Sequence, residues 1–323
     1  MFVRVIQGLL FVSVLLFSLP GLAESPGSFY KAKQLAKEYV YYDRNRSSFG
    51  TLYCGCQWDW VGKSGGRIDL QGCGFSTRAR PERAERIEYE HIVPAHSLGH
   101  QRQCWQQGGR KECVSTDPVF QVMHVDLYNL TPTVGEFNAD RSNYRFSQLP
   151  AAAPYQHGQC PSRIDFSQRV VDPRPQARGL IARTYFYMHD RYDLPMSRAQ
   201  QQLLMAWDRQ YPVNAWELER NRRIASVMGH SNPFVTGEKR WSLGHDNEGS
   251  GILSIGRQPA SYASGSTQNE SPAGPIHGNR NSRIYHLPEG CPSYNAMASR
   301  NRVMFSSEQE ALNAGYRKAR NCR

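Results

Sequence analysis

Between positions 88 and 96 the chain reads Glu88-Tyr89-Glu90-His91-Ile92-Val93-Pro94-Ala95-His96. A histidine with an ordinary pKa of about 6.5 is largely neutral at pH 7 and can take a proton from water. A carboxylate beside it, here Glu90, suits a hard cation such as Mg²⁺, which prefers oxygen donors and keeps several waters. A base that makes hydroxide and a cation that neutralises a departing 3′-oxygen are two needs of phosphodiester hydrolysis; a grip on the phosphate and in-line geometry are the others. Successive side chains on a regular strand point to opposite faces, so Glu90 and His91 can share one site only if the chain bends there. Pro94 fits a strand that ends. Taken alone, the pair is equally compatible with a buried structural histidine beside a surface carboxylate. A zinc hydrolase using His91, His96 and His100 is a rival, since His96 and His100 are four apart and would share a helix face. Against it, no His-Glu-x-x-His occurs and the glutamate precedes the first histidine.

The rest of the chain bounds this chemistry. The sequence has 323 residues, 39% hydrophobic, with a formal net charge of +11 and a pI near 9.4. That length and apolar content allow a packed core, and the basic charge predisposes the protein to polyanions such as nucleic acid. Arg4, the apolar run Val5 to Leu19 and the small residues Gly21 and Ala23 read as a secretory signal over residues 1–23. The run is short for a membrane span, and no later segment is suited to one. The chain is therefore expected to be periplasmic or secreted, free of the membrane after cleavage. Its 8 cysteines, an even number in an exported chain, point to disulfides. Cys54-Gly55-Cys56 has too little between its cysteines for the usual zinc-binding pair.

Several elements must position the motif. Ser28 is placed to cap a helix whose Phe29, Ala32, Leu35, Ala36 and Tyr39 share one face. Thr51 to Trp58 and Arg67 to Gln71 read as strands of a hairpin around Gly62-Lys63-Ser64-Gly65-Gly66. Helices are expected over Ala177–Arg191, Ser197–Arg209 and Asn214–Met228, the last stopped by Gly229. From Gly237 to Asn281 the chain is rich in Gly, Ser, Asn and Pro and reads as a flexible linker. From Ser282 a small unit follows, with a strand at Arg302–Phe305 and a capping-box helix from Ser307 that ends by Gly315. About 40 residues bury little core, so a Cys291–Cys322 staple is expected.

The ordered motifs resemble the bacterial endonuclease I family of ββα-metal (His-Me finger) nucleases, from about Ser28 to Val235. The carriers are Leu52-Tyr53-Cys54-Gly55-Cys56, Glu90-His91-Ile92-Val93-Pro94-Ala95, Gly99-His100-Gln101-Arg102-Gln103-Cys104-Trp105 and Gly108-Gly109-Arg110-Lys111. They continue with Asp126-Leu127-Tyr128-Asn129-Leu130, Gly135-Glu136-Phe137-Asn138-Ala139-Asp140-Arg141, Arg178 to Tyr185 and Asn232-Pro233-Phe234. The resemblance implies an α+β nuclease domain over 24–236, built around a ββα finger, then a linker over 237–281 and a small disulfide-stapled module over 282–323. His91 then matches the general base, and Glu90 and Asn138 match the two protein ligands of a single Mg²⁺, with Ca²⁺ or Mn²⁺ as substitutes. Arg110 matches the phosphate arginine, with Lys111 and Arg141 as further nucleic-acid contacts, and no organic cofactor is implied. Asn129 matches an asparagine on the second strand, where it is expected to orient the base. The implied activity is sequence-nonspecific cleavage of DNA, and of RNA, to 5′-phosphate products by a monomer. A non-catalytic nucleic-acid-binding protein is the alternative that the basic charge alone would suit.

A Cys104–Cys113 disulfide would hold the loop that carries Gly108, Gly109 and Arg110. Where the family often has cysteines after Trp216-Glu217 and after Asn232-Pro233-Phe234, this chain has none, which leaves Cys54, Cys56, Cys73 and Cys160 for two bridges of open pairing. Tyr128 stands where a histidine is common. The C-terminal unit resembles the small metal-binding module of the Ada DNA-repair protein at Tyr285-His286-Leu287-Pro288, Cys291, Asn301-Arg302-Val303, Phe305-Ser306-Ser307, Ala314-Gly315-Tyr316-Arg317 and Cys322. That module holds zinc with four cysteines. Two remain here, with Ala319 where a third would be, so a disulfide-stapled accessory is expected in place of a zinc site.

Overall fold

The computed structural model describes residues 25–257, 276–288, 291, 294, 297, 301–305, 308–319 and 322. The expected signal at 1–23 lies outside them, as does the middle of the expected linker. The chain divides into two compact units, Met1–Pro259 and Ala260–Arg323.

The first unit opens with α1 (Phe29–Leu35), whose cap Ser28 accepts from the Lys31 amide, and runs on through a π-helical turn, Ala36–Tyr41. A hairpin follows, β1 (Trp58–Val61) and β2 (Gly65–Ile68), then α2 (Pro81–Ala84) and β3 (Ile87–His91). Next come α3 (Ala95–Gly99), α4 (Gln103–Thr116), α5 (Pro118–Val125), β4 (Leu130–Val134) and α6 (Gly135–Arg141). A small sheet of β5 (Arg145–Phe146), β6 (Arg163–Asp165) and β7 (Val170–Asp172) leads to α7 (Pro175–Tyr192), α8 (Arg198–Gln210), α9 (Ala215–Met228), α10 (Pro233–Thr236) and α11 (Ser250–Arg257). The unit is α+β, as expected. Local signals account for the late helices: Ser197 caps α8 through the Gln200 amide, Asn214 caps α9 through Glu217, and Gly229 ends α9 in the left-handed region. Trp58, Phe120, Phe137, Phe146, Phe186 and Trp207 are buried in one core that β3, α6 and α7 share.

The strand expected over Thr51–Trp58 starts only at Trp58. The preceding residues form a tight turn, Thr51 N–H donating to the Cys56 carbonyl at 2.9 Å. Gly50 is at φ +60°, and a Cβ there would meet the Gly55 carbonyl oxygen at 2.2 Å, so the segment cannot straighten without losing that closeness. The bridges left open are Cys54–Cys160 and Cys56–Cys73, and Cys104–Cys113 pairs as expected.

The linker expected from Gly237 departs from the sequence reading at both ends. Buried Asp190 accepts from Lys239 Nζ at 2.6 Å, His245 Nε2 at 2.8 Å and the Glu248 amide at 3.1 Å. Trp241 stacks between Phe186 and His245 at 4.9 and 4.3 Å. A chain ended at Thr236 is therefore expected to be about 3 kcal/mol less stable than one ended at Arg257, from lost apolar burial and a stranded Asp190 carboxylate. Equal melting temperatures for the two truncations would contradict that account.

The second unit holds β8 (Ile276–Asn279), β9 (Ile284–His286), β10 (Arg302–Phe305), α12 (Glu308–Asn313) and β11 (Arg317–Lys318), in the sheet order β10-β8-β9-β11. It starts before the expected Ser282, because β8 pairs with both β9 and β10. Its small core is Ile276, Tyr285, Leu287, Phe305, Ala311 and Tyr316, closed by the Cys291–Cys322 disulfide.

Candidate active site

β3 and β4 pair antiparallel, with Glu88 opposite Thr133, Glu90 opposite Thr131 and His91 opposite Leu130. Gly135 turns directly into α6, and a Cβ there would lie 2.5 Å from the Arg83 carbonyl. Two strands and a helix thus form a ββα hairpin. The far side of α6 is anchored through Glu136, which accepts the amides of Arg78, Ala79 and Arg80, and through Asp140, which pairs with Arg78, Arg80 and His157. These bonds fix the rotation of α6, so that Asn138 faces β3.

A cavity of about 850 Å³ opens over this hairpin, and Glu88, Glu90, His91, Arg110, Asn138 and Arg141 all line it. The expected bend comes as the end of the β3 ladder at His91, followed by Ile92 to Pro94 and α3. Both neighbours thereby reach one cavity.

Glu90 is 2% exposed. Its Oε1 accepts from Tyr53 Oη at 2.7 Å and pairs with Arg141 Nη1 at 3.1 Å. Burial pushes its carboxyl above the ordinary glutamate value, with Arg141 and Tyr53 pulling the other way. Asn138 donates through Nδ2 to Glu88 Oε2 at 2.9 Å, which turns its Oδ1 away from that carboxylate. Glu88 also pairs with Arg83 and Arg86, and these bonds hold it below its ordinary value despite burial. Side-chain oxygens of Glu90 and Asn138 are an oxygen-only donor set, as a hard cation requires.

His91 is buried, its ring stacked on His124 at 5.2 Å and on Phe29 at 5.1 Å. Nε2 lies 2.9 Å from the His124 carbonyl oxygen. A carbonyl only accepts, so Nε2 carries a proton, and in the neutral ring Nδ1 keeps the lone pair. Burial, then the charge of Arg110, hold this imidazole well below the ordinary histidine value. The His124 side chain continues the chain of contacts: its Nδ1 lies 3.1 Å from Arg110 Nη2. A guanidinium only donates, so His124 is neutral there, and its own pKa is lowered to about 4 by burial and by Arg110.

Arg110 sits just past a break in α4, where Gly109 adopts φ +66°. The expected loop is thus a kinked helix, and Cys104–Cys113 ties one limb to the other. Lys111 is the next residue and is exposed.

Two expected roles land elsewhere. Asn129 does not reach the His91 ring: its Oδ1 accepts from Val93 N–H at 2.7 Å and its Nδ2 donates to Val93 O at 2.9 Å. It clamps the strand exit behind the histidine, and the His124 carbonyl orients the ring. Arg141, expected to touch nucleic acid, is 1% exposed. It donates to the carbonyls of His91 at 3.0 Å and Ile92 at 2.7 Å while pairing with Glu90, so both terminal nitrogens are engaged inside the fold, and its Nε, which has no partner among the described residues, is enclosed. Tyr128 turns from the site towards the Asn221 and His230 carbonyls. His96 and His100 stack on each other at 4.7 Å, but His91, His96 and His100 do not converge. Among the described residues the one convergent group of three His, Cys or acidic donors is His286, Cys291 and Cys322. Sequence reading missed Tyr53, Glu88 and His124. Glu88 had a signal, sharing a strand face with Glu90 two residues on; the other two had none beyond lying near a motif.

A family model described as Endonuclease I matches residues 28–238. An extracellular deoxyribonuclease of Aeromonas hydrophila is 50% identical over 186 residues, 57% of this chain and 81% of that protein. A periplasmic deoxyribonuclease of Aeromonas hydrophila is 46% identical over 223 residues, 68% of this chain and 90% of that protein. An Endonuclease-1 of Buchnera aphidicola subsp. Acyrthosiphon pisum is 41% identical over 208 residues, 64% of this chain and 80% of that protein.

Proposed function

The chain belongs to the endonuclease I family, and from that premise we propose that it is an exported, metal-dependent endonuclease that hydrolyses DNA, and RNA, without sequence preference. The observation that carries this is His91, its Nε2 held by the His124 carbonyl, in one cavity with Glu90, Asn138 and Arg110. His91 Nδ1 takes a proton from water, and the resulting hydroxide attacks phosphorus in line. Arg110 holds a non-bridging phosphate oxygen, itself steadied by His124. Glu90 and Asn138 hold a single Mg²⁺, with Ca²⁺ or Mn²⁺ as substitutes. When bound, the cation supplies positive charge at the leaving 3′-oxygen. Cleavage there leaves 5′-phosphate and 3′-hydroxyl ends. Arg141 and Tyr53 set the Glu90 carboxylate and touch no substrate. Asn129 holds the backbone behind the base, and Lys111 adds charge at the cavity rim. The basic net charge of +11 favours a polyanionic substrate in the way the relatives' names suggest. Among the described residues no helix is long and apolar enough to cross a membrane, which fits export after loss of residues 1–23. A monomer suffices, since one chain supplies the whole donor set.

A plasmid-nicking assay on the oxidised mature chain tests this. Chelation is expected to abolish nicking, and Mg²⁺ to restore it where Zn²⁺ does not. The nicks are expected to be sealed by DNA ligase without prior phosphorylation. Nicking that persists under chelation, or binding with no cleavage in Mg²⁺, would overturn the proposal, the latter in favour of a non-catalytic binder.

A further inference from the structure

In the second unit His286 ends β9, Cys291 follows it, and Cys322 arrives from beyond β11. A ring nitrogen of His286 and the two sulfurs all lie within 4.8 Å of one another. The Nδ1 of His286 is enclosed and has no hydrogen-bond partner among the described residues. Its cross-strand neighbour His277 differs, with Nδ1 3.2 Å from the Tyr294 carbonyl. A buried ring nitrogen without a partner is costly, and a cation would satisfy it. Nearby, the Leu287 amide lies 2.9 Å from Cys291 Sγ as its donor. Counting cysteines argues for a staple alone; the imidazole is the donor that such a count leaves out.

We propose that His286, Cys291 and Cys322 form a site for a Zn²⁺-type ion in the reduced chain, the ion and the Cys291–Cys322 disulfide being alternative closures of this unit. One nitrogen and two thiolates select a borderline-soft d¹⁰ cation over Mg²⁺ or Ca²⁺, and three protein donors leave one position open. The redox step balances against a dithiol. The dithiol gives two electrons and two protons to the disulfide and itself becomes a disulfide. The two thiols then release two protons as they bind the ion. Oxidation by another disulfide removes two electrons, reforms the Cys291–Cys322 bond and frees the ion. With Zn–S bonds of about 2.3 Å, the sulfurs must part to roughly 3.8 Å, which rotation about the cysteine side chains allows. A unit with so small a core needs one closure or the other.

The test uses the full mature chain, reduced with a phosphine and titrated with Co²⁺ as a spectroscopic stand-in. Reduced protein is expected to show a sulfur-to-cobalt charge-transfer band with tetrahedral visible bands, displaced by Zn²⁺; oxidised protein is expected to show neither. Reduction also opens Cys54–Cys160, Cys56–Cys73 and Cys104–Cys113, so the variants decide. Cys291→Ser is expected to remove the band although those other thiols remain. His286→Ala is expected to weaken Co²⁺ binding by roughly tenfold or more. His286→Cys is expected to restore binding with a stronger band, three thiolates replacing two. A band undiminished by Cys291→Ser, or affinity untouched by His286→Ala, would overturn the site. Nuclease activity is not the readout, so this outcome is independent of the reading of the first unit.

Discussion

Replacing His91 by alanine is expected to lower DNA cleavage about a thousandfold, the usual size of a positioned general base, while DNA affinity changes little. The ring is buried and its Nε2 is spent on the His124 carbonyl, so it offers no donor to a phosphate and contributes little to binding. The alanine cavity lies between Phe29 and His124, which stack on the native ring, and added imidazole is expected to recover part of the lost rate. The wild-type pH profile gives a second handle. In the proposed mechanism the neutral form is the base, and the pKa of this ring is depressed below the ordinary value of 6.5 by burial and by Arg110. Protonation, and with it the loss of activity, is therefore displaced to lower pH: activity is expected to hold at pH 6.5 and to fall only further into acid. Cleavage and filter-binding measurements on the variant, with a kcat/KM profile for the wild type, check both points. Near-normal turnover in His91→Ala, or an acid limb at or above pH 6.5, would show that another group is the base.

How far the sequence carried depended on whether a feature was local. The cap residues Ser28, Ser197 and Asn214 sit where their helices begin, because a cap needs only the next three residues. The hairpin lies where expected, but its second strand is Gly65–Ile68 and not Arg67–Gln71, so Gly65 and Gly66 pair in the ladder, and its first strand was drawn too early, since the pull of two disulfides on residues 54 and 56 comes from Cys160 and Cys73. The linker reading failed at residues 238–257 because composition averages away single anchors. Lys239, Trp241 and His245 bind one buried aspartate and one aromatic slot amid many glycines and asparagines. At the site, the motif pointed to Glu90, His91 and Asn138, yet the groups that set their state come from far along the chain. Tyr53 is 37 residues from Glu90 and His124 is 33 residues from His91, and no spacing rule links such pairs.

Arg141 shows where residue type misleads. An arginine next to a nuclease motif in a basic protein invites assignment to the phosphate backbone, and the two roles predict opposite experiments. If Arg141 gripped a phosphate, leucine in its place would weaken DNA binding and reduce the salt slope by about one, with little change in folding. The buried guanidinium instead bridges the Glu90 carboxylate and the carbonyls of His91 and Ile92. Arg141→Leu is therefore expected to destabilise the fold by about 3–5 kcal/mol, because Glu90 loses its buried charge partner and keeps only the Tyr53 hydroxyl, while two carbonyls lose a donor in an enclosed place. Arg141→Lys keeps the charge but cannot span three acceptors with one compact ammonium, so a loss of roughly half that size is expected. In the lysine variant, which should fold, Mg²⁺ affinity is expected to fall as Glu90 swings from its set position, while the salt slope of DNA binding stays at the wild-type value. Denaturant unfolding, calorimetric Mg²⁺ titration and salt-dependent DNA binding separate the roles. Wild-type stability with a shallower salt slope would return Arg141 to the nucleic-acid surface and leave Glu90 to be held by Tyr53 alone.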